Sequence, residues 1–261
     1  MLDIKNLSVS YNSRGTVTDA VKNVSLHIEK GTFTGLVGES GSGKSTLIMA
    51  VLGLLPVRTE ISGEILYNGS DILSMSDNEK RNLRWKEIAL VPQSAQNSFT
   101  PVMKIKNHIE EVLKVHSNKY GEEAEKEITR LLNEVGLDAA IKERYPHELS
   151  GGQKQRAAIA LALACSPALL LADEPTTALD VIIQAEVLEL LSKFRKSKNL
   201  SIILVTHDLP LAAMVCDKLV VMKDGIIVET GKPYDIVNSP RHPHTKELVK
   251  AMFWQRNENN G

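Results

Sequence analysis

The sequence predicts an α/β fold: a largely parallel sheet covered by helices on both faces, with an antiparallel β subdomain near its start and an inserted α-helical subdomain in its middle. Three patterns point to it. Leu2 to Tyr11 and Val21 to Glu29 alternate apolar and polar side chains, as half-buried antiparallel strands do. The short apolar runs Thr32 to Val37, Leu169 to Ala172 and Ser201 to Val205 are each followed by a helix-length segment, the signature of parallel strands with both faces covered. Between them, Ile105 to Val115 and Glu122 to Val135 keep helical spacing.

Taken in order, the first apolar run ends in Gly38, and a helix follows from Lys44 to about Leu55, stopped by Pro56. Ile61 to Asn68 reads as a strand, Ser76 to Trp85 as a charged helix or loop with a solvated face, and Ile88 to Pro92 as a short buried strand. A helical insert spans about Ser94 to Leu163, with Gly136 closing its second helix. Helices then run from Val181 to about Lys196 and from Leu209 to Val215, and Asp217 to Glu229 forms a hairpin turning at Lys223-Asp224-Gly225. The expected division is a core of residues 1–93 and 164–240, a helical subdomain of residues 94–163, and a tail of residues 241–261 whose last five residues are disordered.

Composition excludes several classes. The 261 residues are 43% hydrophobic and 4% aromatic, which removes disordered and collagen-like chains. Thirty-one Lys and Arg against 32 Asp and Glu create no strong field toward nucleic acid or an anionic membrane. The two cysteines, Cys165 and Cys216, form no CxxC pair and sit among apolar residues, so they read as buried thiols. The start, MLDIKNLSVSY, lacks a signal peptide's apolar core, so the chain is expected to stay in the cytoplasm. The most apolar stretch, Ala157 to Ala172, is broken by Ser166 and Pro167 and falls short of the roughly 20 residues of a membrane span. If the function is transport, another chain must supply the pore.

Gly38, Glu39, Ser40, Gly41, Ser42, Gly43, Lys44, Ser45 and Thr46 match the P-loop pattern between a strand and a helix. Glycines let successive N–H groups face phosphate oxygens, and the helix N-terminus adds positive partial charge. Lys44 is placed to reach the outer phosphates of ATP and the Ser45 hydroxyl to ligate Mg²⁺. Leu169 to Glu174 is an apolar strand ending in two carboxylates, where Asp173 would hold the metal through water and Glu174 would orient and deprotonate the attacking water. Taken alone, such a pair is more often a helix cap or surface turn, and its pairing with the P-loop reverses that balance. Leu149-Ser150-Gly151-Gly152-Gln153 precedes another helix, and a plain N-cap at Ser150 accounts for the serine but not for the whole pentapeptide.

With that pentapeptide, LSGGQ, between a P-loop and an acidic strand, the chain resembles the ABC ATPase family over nearly its whole length. The resemblance implies a head-to-tail pair of such domains with two ATP molecules between them. Ser150, Gly151, Gly152 and Gln153 would then bind the ATP held by the partner. Tyr11 matches the aromatic that stacks on adenine, against the plain reading of a strand tyrosine. Gln93 matches the glutamine that touches Mg²⁺ and water, Asp180 a contact across the dimer, and His207 the histidine that touches the γ-phosphate.

Within that family, Asn97 to Met103 (NSFTPVM), Asp173 to Val181 (DEPTTALDV) and Arg241 to Thr245 (RHPHT) look like the importers for peptides and nickel, although His244 replaces the usual aromatic of the last motif. Two transmembrane permease subunits, a second and different ATPase subunit, an extracytoplasmic substrate-binding protein and a place on the cytoplasmic face of the cell membrane are therefore expected. No nucleic acid is expected. Cargo is either peptide or a nickel or metal chelate, and no iron–sulfur cluster is expected because no cysteine follows Cys216. The competing classes are a soluble ABC protein acting on DNA or ribosomes, and a P-loop kinase; the first would carry zinc or coiled-coil insertions or two cassettes, and the second would lack LSGGQ.

Overall fold

The computed structural model describes residues 1–13, 16–93 and 98–258. Ser94 to Asn97, where the helical insert was expected to open, and Asn259 to Gly261 at the end lie outside the described residues. The chain forms two compact units, residues 1–80 with 203–261, and residues 81–202. The second unit therefore takes in two short strands and a long helix as well as the helices assigned to the insert.

In the first unit, β1 (Leu2–Ser13) pairs antiparallel with β2 (Thr16–Ile28) on one side and β4 (Thr59–Tyr67) on the other, with β5 (Ser70–Asp71) beyond β4. The buried face of β1 changes parity, from Leu2 and Ile4 to Leu7 and Val9. A β-bulge causes it: Asn6 has φ 48° and the register slips between Ile4 and Leu7. Asn23 makes the matching irregularity in β2 with φ 49°. Serine hydroxyls take up the displaced backbone donors, since Asn6 N–H donates to Ser25 Oγ and Asn23 N–H to Ser8 Oγ, each at 2.9 Å.

The other sheet of this unit runs β10 (Ile226–Gly231), β9 (Lys218–Lys223), β3 (Phe33–Val37), then the Ile203–Thr206 part of β8 (Ser201–Thr206). β3 is parallel to β9 and buried at every residue. The β9–β10 hairpin turns at Asp224 (φ 48°) and Gly225 (φ 84°), the two positive dihedrals of the Asp-Gly hairpin turn. Helix α1 (Lys44–Val51) ends earlier than expected, and Gly53 rather than Pro56 stops it. Gly53, at φ 62°, donates to Ala50 O at 3.0 Å while Leu54 N–H reaches back to Met49 O at 3.0 Å, the paired bonds of a Schellman motif.

Helix α7 (Leu209–Val215) packs on β3 and against α8 (Pro233–Asn238) and α9 (Pro243–Glu258). The last two helices replace what the sequence reading left unassigned or as a tail. Each opens on a proline, whose missing N–H is harmless in a first turn. The entry to α9 is held by Glu229, whose carboxylate accepts Arg241 N–H at 2.9 Å and His242 N–H at 3.0 Å. His244 is 2% exposed, so it fills the interior of this unit. Cys216 is buried and burial pushes its thiol well up, whereas Cys165 is only partly buried, which corrects the expectation for that residue.

In the second unit, β6 (Ile88–Val91) and β7 (Leu169–Asp173) pair in parallel, with α5 (Gly151–Ala162) against β6. Helices α3 (Ile105–Val112) and α4 (Gly121–Glu134) bury Ile105, Ile109, Ala124, Ile128, Leu131 and Leu132, the stripe their spacing predicts. The segment after α3 widens into a π-type turn at Leu113–Ser117 instead of continuing as α-helix. Gly136 stops α4 as expected, with Gly136 N–H to Asn133 O at 3.0 Å and Leu137 N–H to Leu132 O at 2.9 Å. The charged α2 (Asp77–Leu83) buries none of its residues, as a solvated face should. Among the described residues, no helix is long and apolar enough to cross a membrane.

Gly53→Ala forces a Cβ into a left-handed dihedral, so it is expected to lower unfolding free energy by about 1 kcal/mol. Urea denaturation followed by circular dichroism checks this.

Candidate functional site

In the first unit, β3 delivers the chain into the Gly38–Thr46 loop. A Cβ on Gly38 would lie 2.2 Å from Met222 O, so no side chain fits there. Gly43, at φ 99°, caps α1 without any side-chain cap, and a Cβ on it would lie 2.3 Å from Ala20 O. The loop is held by backbone bonds, Gly225 N–H to Ser42 O at 3.2 Å and Lys22 N–H to Gly225 O at 2.8 Å. The hairpin turn thus ties β2 to the phosphate loop. An N-terminus that no side chain caps presents its first-turn amides to an anion.

Lys44 is only 4% exposed, and its ammonium donates to Gly38 O at 2.8 Å, Glu39 O at 2.7 Å and Ser42 Oγ at 3.1 Å. Glu39, Ser40, Gly41 and Ser45 are exposed along the loop. Tyr11 OH donates to Thr46 Oγ1 at 3.2 Å, which brings this aromatic to the first turn of α1. His207 is exposed between the end of β8 and Asp208, whose carboxylate caps α7 by accepting Leu211 N–H at 2.9 Å.

In the second unit, β7 carries Asp173, 4% exposed, to its carboxyl end. Glu174 follows in a left-handed dihedral, φ 44°. Gln93, just past β6, donates its amide to Glu174 Oε2 at 3.2 Å, so two residues singled out by sequence meet. The Thr177 hydroxyl donates to the same oxygen at 3.0 Å. Gln184 then braces the loop by donating to Thr176 O at 3.3 Å and Leu179 O at 3.0 Å. Neither Thr177 nor Gln184 was found by sequence; each has only one ordinary polar side chain, and nothing in its spacing sets it apart.

Asp180 caps α6 (Val181–Lys198), its carboxylate accepting Ile183 N–H at 3.0 Å. Ser150 and Gln153 form a capping box at the start of α5: Ser150 Oγ accepts Gln153 N–H at 3.3 Å and Gln153 Oε1 accepts Ser150 N–H at 3.0 Å. The N-cap reading of Ser150 therefore holds and also accounts for Gln153. A cavity of about 310 Å³ beside them is lined by Leu137, Ile141, Gly152, Arg156 and Ile183 among others. Arg156, also missed in sequence, donates to Val135 O at 2.9 Å and to Glu186 at 2.7 Å, joining α4, α5 and α6.

Among the described residues, no group of three or more His, Cys, Asp or Glu is arranged to hold a metal. The residues picked for Mg²⁺, namely Ser45, Gln93 and Asp173, are all oxygen donors with one carboxylate. Donors of these kinds suit Mg²⁺, which keeps several waters and takes its remaining ligands from one or two carboxylates and substrate phosphates.

Residues 21–177 match the family described as ABC transporter. The oligopeptide transport ATP-binding protein OppD of Bacillus subtilis is 44% identical over 97% of this chain and 72% of its own length. The dipeptide transport ATP-binding protein DppD of Escherichia coli is 41% identical over 97% of this chain and 78% of its own. Among solved structures, the dimeric bacterial ABC transporter cassette MJ0796 superposes with a TM-score of 0.80 at 32% identity, covering 89% of this chain and 99% of that one. MJ0796 has also been solved as a dimer in a post-hydrolysis state with ADP and phosphate. CbiO1 of Clostridium perfringens, part of the transporter complex cbiONQ, gives 0.79 at 30% identity, over 91% of this chain and 90% of that one. A P-loop, a capped LSGGQ helix and an acidic strand on this fold agree with those likenesses: the chain belongs to the ABC transporter family.

Proposed function

We propose that this chain is the ATP-hydrolysing subunit of an importer for oligopeptides or dipeptides. The observation that carries the ATPase reading is the buried Lys44 ammonium inside a loop of backbone donors at an N-terminus that no side chain caps. Relatives named for oligopeptide and dipeptide transport favour peptide cargo over nickel or metal chelates.

In this reading Gly38 to Thr46 bind the phosphates through backbone N–H groups, with Lys44 exchanging loop carbonyls for phosphate oxygens. Tyr11 stacks on the adenine. Ser45, Gln93 and Asp173 would hold Mg²⁺, which when bound would offset the charge of the phosphate oxygens. Glu174 accepts a proton from water as the water oxygen attacks the γ-phosphorus, and the bond from that phosphorus to the bridging oxygen breaks to leave ADP and phosphate. His207 contacts the γ-phosphate, and Gln93 orients the water.

Ser150, Gly151, Gly152 and Gln153 contact the ATP of a second, different cassette, paired head to tail, with Asp180 at that interface. Two transmembrane permease subunits supply the pore, and an extracytoplasmic binding protein selects cargo, so the chain works at the cytoplasmic face of the cell membrane. ATP binding closes the cassettes and hydrolysis resets them.

Glu174→Gln is expected to bind ATP normally and to lose turnover in a phosphate-release assay; normal steady-state turnover would remove Glu174 from the reaction. Lys44→Ala is expected to weaken nucleotide binding at least tenfold in a fluorescent-ATP titration, because it deletes a buried charge from the phosphate site. Purification from native membranes in mild detergent is expected to bring down two permeases and a second ATPase. Purely soluble partners would overturn the transport assignment and leave the ATPase standing.

A further inference from the structure

We infer that Thr177 is a positioning residue for the Glu174 carboxylate, an inference that rests on the ATPase reading above. Glu174 sits in a dihedral, φ 44°, that residues other than glycine adopt infrequently, so its side chain leaves β7 in a direction that the strand itself would not impose. The turn that follows is closed by Thr177 N–H donating to Glu174 O at 3.2 Å. That closure folds the Thr177 hydroxyl back over the carboxylate, where it donates to Oε2 at 3.0 Å. Gln93 donates to the same oxygen at 3.2 Å from the segment after β6. Two donors converging on one oxygen restrict the rotation of a side chain that would otherwise sample several rotamers.

The turn does not need the hydroxyl for its own shape. Pro175 and Thr176 are buried, and Gln184 braces the loop through the carbonyls of Thr176 and Leu179. A hydroxyl has a single proton to donate, and that of Thr177 is committed to Glu174. Gln93 carries a second assignment toward Mg²⁺ and water, so Thr177 is the donor whose only task is the carboxylate. A misplacement of a reacting group by about 1 Å is enough to slow an enzymatic step by about a hundredfold.

The test uses the chain purified with its partner subunits. Thr177→Val, which keeps the shape and deletes the donor, is expected to lower kcat about tenfold while KM for ATP and fluorescent-ATP affinity stay within about twofold, and Thr177→Ser is expected to restore kcat. In single-turnover reactions, Thr177→Val added to Glu174→Gln is expected to cause no further loss, because its effect passes through the carboxylate. Unchanged kcat in Thr177→Val, no rescue by serine, or a full tenfold loss on top of Glu174→Gln would each overturn the inference. Should the valine variant not fold, Thr177→Ala is read in the same way. Full turnover by Glu174→Gln alone would instead remove Glu174 from the reaction, and no ATP hydrolysis by the unaltered complex would remove the ATPase reading, so these failures are distinguishable from that of Thr177.

Discussion

The Gly38–Thr46 loop depends on a few backbone groups that lie far from it in sequence. Met222 O occupies the space a side chain at Gly38 would need, Ala20 O does the same at Gly43, and Gly225 N–H holds Ser42 O. Strand β2 and the β9–β10 hairpin therefore form a mould, and the loop takes its shape from that mould as much as from its own glycines. The antiparallel sheet, which reaches this loop through the Tyr11 hydroxyl, also shapes it because one of its strands forms a wall of this mould.

The second unit solves a different problem, which is to hold a carboxylate still at the end of a buried strand. Strand β7 is apolar and fully buried, so it fixes Asp173 firmly, but the chain must then leave the sheet. It does so through positive dihedrals at Glu174 and Ala178, with φ 44° and 65°. Such backbone persists only where surrounding contacts over-determine it. Those contacts come from Gln184 and from the Asp180 cap of α6, so the helix after the turn stabilises the turn before it.

Much of this was legible in the sequence because it is local. The glycine spacing around Lys44, the apolar run before Asp173, the Asp-Gly turn at 224–225 and the stop at Gly136 each express a preference of a few adjacent residues, and each matches the structure. What was not legible depends on distant partners or on bonds between side chain and backbone. The parity change in β1 depends on Ser25 accepting the Asn6 donor from a neighbouring strand. The end of α1 fell at Gly53 because a left-handed glycine ends a helix before a later proline needs to. Helices α8 and α9 went unassigned in the sequence, and each opens on a proline, which marks a first turn as readily as a loop. Thr177 stands inside the Asp173 to Val181 run with nothing in the sequence to single it out, and its contact goes with the turn that the dihedral at Glu174 starts.

The three bonds of Lys44 bear on the shape of its loop. With its ammonium bonded to two loop carbonyls and a serine hydroxyl, the loop already surrounds a positive charge and is already curved. In the function proposed above, a nucleotide would exchange one set of oxygens for another around the same nitrogen. A loop already curved around a charge would lose little conformational entropy on taking up such a ligand.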